Sequence, residues 1–358
     1  MAANTRFPTI WVRSTILLCL SSILQLSATA CHVHNSFNVC SSHERLDLGY
    51  LGTHTALLGN DTNEIDLDDL YTVYDVKPSK NKGLGVFAKH DLKRGTVIII
   101  EEPLVAVPLP EMVQGQGFKI LDMITSLETA YSNLSPISQK SFTDLHDVRF
   151  PSEEDQNKLL TIFRNNAYNT GDSKVGLFPK IARINHSCTP NSGNEWVDEA
   201  GHRIIYASRD IKEGEEITVS YIPLLKKTAD RQSRLAQYGF TCDCSACQSS
   251  HGDKRRTKIA DLLETLEMKV NTAPSKKLEI KRKQSTKALN LLSLVEEEGL
   301  NDYLSRAQHL SAVFSQRLGD IKLARRYAAK ELETQLISQN PAGILKTRAF
   351  IDELNKAK

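Results

Sequence analysis

The 358-residue chain carries almost no excess of charge of either sign: 45 Lys and Arg stand against 43 Asp and Glu, a formal net charge of +2. That balance excludes a broadly basic nucleic-acid-binding face, and 40% hydrophobic residues exclude a disordered tail. No sequence-specific contact with nucleic acid is therefore expected. Long apolar runs are scarce. The one of note, Ile16 to Leu26, is shorter than the roughly 20 residues of a membrane span. Cysteine is sparse and uneven, with seven in all and none between Cys40 and Cys188. The glycines at Gly83 and Gly85 have no third partner opening a helix, which excludes a dinucleotide-binding loop. Strand signals almost disappear beyond residue 250.

The length allows two domains. Met1 to Ala30 reads as a secretory leader. Arg6 and Arg13 supply positive charge, the apolar run follows, and Ala28-Thr29-Ala30 resembles a cleavage site. A membrane anchor is the alternative for the uncharged stretch Ser14 to Cys31. After cleavage, Cys31 and Cys40 could close a small disulfide loop in an oxidising compartment; the plain alternative is two unpaired thiols. Residues 31–70 are polar and aperiodic and read as a linker.

Four later segments carry chemistry. Lys82-Gly83-Leu84-Gly85 sits between strand-like residues, and two glycines two apart permit a tight turn and a close approach to a ligand. Arg183 to Asn191 is dense in polar side chains. Ile204 to Ala207 and Glu216 to Tyr221 read as strands rich in β-branched and aromatic residues. Cys242-x-Cys244-x-x-Cys247 reads as metal-binding, because thiols so close converge on one ion more readily than they reach separate partners. Three thiolates leave a tetrahedral ion one ligand short.

In this order the segments resemble the SET family of S-adenosylmethionine-dependent lysine methyltransferases, most closely the SET-and-MYND subgroup and its fungal relatives without the MYND finger. The likeness runs from about Tyr71 to Gln248. It implies an α+β fold. A β-rich SET domain would occupy 71–222, with a knot-like crossing and a helical insert at about 111–165. A post-SET zinc hook would follow at 223–250, then an all-α, tetratricopeptide-like domain at 251–358. The cysteine-free stretch from 41 to 187 leaves no place there for the subgroup's finger.

The resemblance also implies a site. Lys82, Gly83, Leu84, Gly85, Asn166, Asn185 and His186 would bind the cofactor, with Tyr238 and Phe240 beside it. Asn185 and His186 could equally satisfy buried backbone groups. Tyr221 would be the catalytic tyrosine, and Tyr221, Tyr238 and Phe240 would wall the substrate channel. Tyr206 reads as core or strand surface. Cys188 would complete one structural zinc site with Cys242, Cys244 and Cys247. The implied partner is a protein substrate, histone or other, and the chain is expected to be a monomer. The chemistry suits such a channel. A lysine of ordinary pKa near 10.4 must lose its proton, at a cost of about 4–5 kcal/mol at pH 7. An apolar tunnel and a positive sulfonium both lower that cost.

Beyond the hook, helical spacing appears at Ile259-Leu262-Leu263-Leu266, at Leu289 to Leu294, at Leu304 to Val313 and at Leu323 to Leu332, with Gly319-Asp320 as a break and Pro341 opening a last helix. Lys254-Arg255-Arg256 reads as a solvated helix start. The helical region would either narrow the channel or serve as a stabilising bundle. The leader points to the secretory pathway, while the family's chemistry points to nucleus or cytoplasm. Glycosylation patterns begin at Asn60, Asn133 and Asn185, and a sugar on Asn185 would block the cofactor site. The competing reading is an inactive SET-fold interaction module, secreted if the leader acts.

Overall fold

The computed structural model describes residues 72–113, 117–150, 156–171, 173–249 and 252–357. The leader, the linker, the Cys31–Cys40 pair and Asn60 lie outside the described residues. Among the described residues no helix is long and apolar enough to cross a membrane.

The chain first forms a hairpin of β1 (Tyr74–Ser79) and β2 (Gly83–Ala88), paired from Tyr74↔Ala88 to Ser79↔Gly83. Its turn is closed by Lys82 N donating to Ser79 O at 3.2 Å. Then come β3 (Val97–Glu101), β4 (Val105–Pro108), β5 (Met112–Val113) and β6 (Gly117–Phe118). The region read as helical from 111 therefore opens with a two-stranded hairpin, Met112↔Phe118 and Val113↔Gly117. Its helices are α1 (Ile120–Ser132), α2 (Pro136–Thr143) and α3 (Lys158–Asn166). Ser135 caps α2, whose first residue is proline, the pattern that starts a helix. Leu127, Phe142, Ile162 and Phe163 of this insert share one core with Val105 and Val107 of β4 and with Leu177.

The later strands are β7 (Ala167–Asn169), β8 (Lys174–Leu177), β9 (Asn185–His186), β10 (Ser192–Val197), β11 (His202–Ala207) and β12 (Glu216–Val219). They fall into sheets β1-β2-β12-β9, β10-β11-β3 and β4-β8-β7. β11 and β12, neighbours in sequence, thus enter different sheets. The two-residue β9 lies parallel to β12, Thr218 opposite Asn185 and Val219 opposite His186. Its register continues through Ser187 N to Val219 O at 3.0 Å. Val86, Ile99, Phe178, Ile184, Ile205, Ile217 and Val219 pack beneath these strands as one core.

The remainder is helical: α4 (Thr228–Leu235), α5 (Ser245–Gln248), α6 (Gly252–Val270), α7 (Leu278–Glu297), α8 (Leu304–Leu318), α9 (Ile321–Ile337) and α10 (Pro341–Lys356). Most positions of the first three predicted stripes are buried: Ile259, Leu262, Leu263, Leu266, Leu291, Leu292 and Leu310 share a core with Phe314, whereas Leu289, Leu304, Leu323 and Leu332 are half-buried. That core also contains Cys188 and Cys242, with Tyr221, Tyr238 and Phe240 against it, so the cysteine segment and the helices fold as one body. Asp320 caps α9 by accepting from Leu323 N at 2.9 Å. A second expectation fails, after the helical reading from 111. Arg256 belongs to a helix start but is fully buried, not solvated.

Candidate active site and four-cysteine centre

The site grows from the β2–β12–β9 edge. Gly85 faces β12 so closely that a Cβ there would lie 2.5 Å from Glu216 Oε1 and 3.0 Å from Asn185 Nδ2. Gly83 holds φ at +71°, a conformation costly for other residues. Above this contact, Asn185 Nδ2 donates to Leu84 O at 3.0 Å and to Glu216 Oε1 at 2.8 Å. Lys82 Nζ stands 3.5 Å from Glu216 Oε2. A cation, a carboxylate and an amide are thus gathered beside exposed Leu84. Such a set offers partners for both an ammonium and a carboxylate.

His186 is buried next door. Its Nδ1 accepts the Tyr221 backbone N–H at 3.0 Å, which leaves the ring hydrogen on Nε2, 3.3 Å from Cys188 Sγ. Burial pushes the imidazole down to about 4, so it is neutral at pH 7. Tyr221 lies just past the end of β12. Its hydroxyl donates to Ile184 O at 2.6 Å. Its ring centroid is 5.4 Å from that of His186, 5.2 Å from Tyr238 and 6.4 Å from Phe240. Burial first, then Tyr168, Tyr238 and Glu216, hold its phenol well above 10. Tyr238 is raised by burial too.

Asn185, His186, Tyr221, Tyr238 and Phe240 are therefore brought together, with Gly83 to Gly85 at the start of β2 and Lys82 in the turn before it. Asn166 is buried at the end of α3. Its Nδ2 donates to Ile162 O at 2.7 Å and His146 O at 2.8 Å, tying α3 to the loop before it.

Two contributors escaped sequence reasoning. Tyr168, on β7, carries the Arg203 guanidinium 4.9 Å from its ring centroid, and burial pushes its phenol up to about 12. Tyr168 stacks edge-on against Phe178 and packs against the same core as Tyr221. Arg231 is the second. It is fully buried, donates to Lys226 O at 2.6 Å and reaches 3.8 Å from Cys247 Sγ. Neither sits in a motif, so only the fold reveals them.

The sulfurs of Cys188, Cys242, Cys244 and Cys247 all lie within 4.8 Å of one another, with Cys188 and Cys247 3.6 Å apart. Zn–S bonds of about 2.3 Å place tetrahedral sulfurs about 3.8 Å apart, so the four fit a zinc ion. Outer donors are present as well: His186 Nε2 toward Cys188, and Arg231 toward Cys247. Gln232 fixes Cys242 from both sides, taking its N–H at 2.9 Å and donating to its O at 2.7 Å.

Residues 83–222 match the SET domain family model. A histone-lysine N-methyltransferase of Schizosaccharomyces pombe, set5, is 32% identical over 191 residues, 53% of this chain and 54% of that protein. The human histone-lysine N-methyltransferase SMYD3 is 42% identical over 80 residues, 22% of this chain and 18% of it. The chicken N-lysine methyltransferase SMYD2 is 41% identical over 87 residues, 24% of this chain and 20% of it. The match thus spans about half the length of the fission-yeast relative and a fifth of the animal ones. Residues 83–222 therefore match a SET domain, and the relatives that share this part of the chain are named lysine methyltransferases.

Proposed function

We propose that the chain is a protein-lysine methyltransferase using S-adenosylmethionine, with the SET domain at 71–222, a zinc-binding segment at 223–250 and a helical domain at 251–358. The observation that carries this reading is the placement of Tyr221. Its ring is grouped with His186, Tyr238 and Phe240, one strand away from the Lys82–Gly85 and Asn185 set.

Bound S-adenosylmethionine would supply an electrophilic methyl group on a sulfonium. Lys82, Gly83, Leu84, Gly85, Asn185 and His186 would hold it, with Asn166 supporting the wall. Tyr221, Tyr238 and Phe240 strip water from the incoming amine, which favours its neutral, nucleophilic form. The Tyr221 proton is committed to Ile184 O, so its oxygen lone pairs are left to accept from the amine or the methyl group. A phenol held neutral also adds no anion that would stabilise the inert ammonium. The transfer itself needs alignment more than acid catalysis. Zinc on Cys188, Cys242, Cys244 and Cys247 would cross-link the Arg183–Asn191 loop to the segment bearing Tyr238 and Phe240. The substrate is a histone or another protein, met by a monomer.

Tritiated methyl transfer onto histones and whole-cell extract, with mass-spectrometric identification of the product, tests this. Labelled lysine is the expected result. Cofactor binding by calorimetry without any transfer would favour an inactive interaction module, and absence of binding would sink the enzyme reading and favour an interaction protein whose SET fold is only a scaffold.

A further inference from the structure

Arg256 is among the largest fully buried side chains of the protein, and three segments converge on it. Its Nε donates to Glu298 Oε2 at 3.2 Å, Nη1 to Leu224 O at 3.0 Å and Nη2 to Cys188 O at 2.9 Å. Glu298, at the C-cap of α7, is only 8% exposed, and its other oxygen takes Arg255 Nε. The cation and its carboxylate belong to the helical region, and the two carbonyls belong to the site. Cys188 lies two residues beyond His186, and Leu224 three beyond Tyr221.

The geometry has a chemical reason. A planar fork of donors can satisfy two carbonyls and a carboxylate at once, whereas an ammonium concentrates its donors at one point. A buried cation also needs its counter-charge, which Glu298 provides. By contrast, the guanidinium of Arg317 caps the end of α6 through Lys269 O at 2.8 Å and Val270 O at 2.6 Å, and touches no residue of the site.

We propose that Arg256, seated by Glu298, is a positioning residue that sets the spacing between the His186–Cys188 loop and the Tyr221–Leu224 loop. The helical region thereby braces the methyl-transfer site. This inference rests on the methyltransferase reading given above. A loosened brace lets the two loops shift independently, and a displacement of about 1 Å is enough to cost up to about 100-fold in rate.

The test compares the full chain with Arg256→Lys, Glu298→Gln and, as a control for stability alone, Arg317→Met. Three quantities are read: kcat and KM for the protein substrate at saturating cofactor, release of zinc to a chromogenic chelator, and the thermal midpoint. Arg256→Lys and Glu298→Gln are expected to lower kcat by about 10- to 100-fold with KM within about twofold. Zinc should leave both faster than wild type. Arg317→Met should lose thermal stability yet keep its kcat. Wild-type kcat in Arg256→Lys, or an equal loss in Arg317→Met, overturns the proposal. Should Glu298→Gln fail to fold, Arg256→Lys decides. If the wild-type chain transfers no methyl group, the methyltransferase reading falls by itself. Zinc release then decides the brace: an unchanged rate in Arg256→Lys refutes it.

Discussion

Replacing Tyr221 with Phe separates two roles of one hydroxyl. In the folded protein that hydroxyl donates to Ile184 O at 2.6 Å, and Ile184 is fully buried. Phenylalanine keeps the ring and its packing against His186, Tyr238 and Phe240, so no large cavity opens. The buried carbonyl is left without its donor, at a cost of about 1–3 kcal/mol. For a body of this size that lowers the melting midpoint by about 2–12 °C. The phenol is held well above 10, so this change should be flat near neutral pH. The effect on methyl transfer should be larger. Deleting one preorganised polar group at a reacting centre costs about 2.7–4 kcal/mol, or about 100- to 1,000-fold in kcat. Thermal unfolding, cofactor calorimetry and single-turnover transfer on the same preparation distinguish the two. A folded variant that binds cofactor and retains kcat within about threefold would refute the role given to Tyr221.

Three further outcomes follow from the same geometry. Cys244→Ser removes one of four converging sulfurs; about one zinc per chain should fall toward none, and the thermal midpoint should drop by about 10 °C or more, since binding energy at such a site is folding energy. Elemental analysis and calorimetry check it, and full zinc occupancy in the variant would contradict it. Gly85→Ala places a methyl 2.5 Å from Glu216 Oε1 and must displace it from Asn185; cofactor affinity measured by titration should weaken by about tenfold. For Glu195, burial outweighs the nearby Arg203 and raises the carboxyl from 4.5 to about 7. The unfolded chain ionises first, so stability falls as pH rises from about 4.5 through about 7, and the cost is complete above that. Glu195→Gln, which keeps an acceptor for Asn340 Nδ2, should flatten the melting midpoint between pH 5 and pH 8; a slope equal to wild type would exclude this group as its source.

Most of what was legible in the sequence was local. The Cys242–Cys247 spacing, the leucine stripes of α6 to α8, the break at Gly319-Asp320 and the strand at 204–207 depend on neighbours a few residues apart. Helical and extended periodicities report such neighbours directly. The helical reading from 111 failed at β5 and β6 because a two-residue strand leaves too short a pattern to be heard. The link from Cys188 to the later cysteines was legible only through the resemblance, since more than fifty residues separate them.

The sequence by itself determined which side chains were available: a glycine pair, an Asn-His pair, a terminal tyrosine and four thiols. Only the tertiary structure decided that β9 lies parallel to β12, that Tyr168 and Arg231 join the site, and that Arg256 is buried instead of solvated. The reason is physical. Burial and long-range pairing depend on what the rest of the chain packs against a residue, and an Arg-Arg pair reads the same in sequence whether water or a buried carboxylate awaits it.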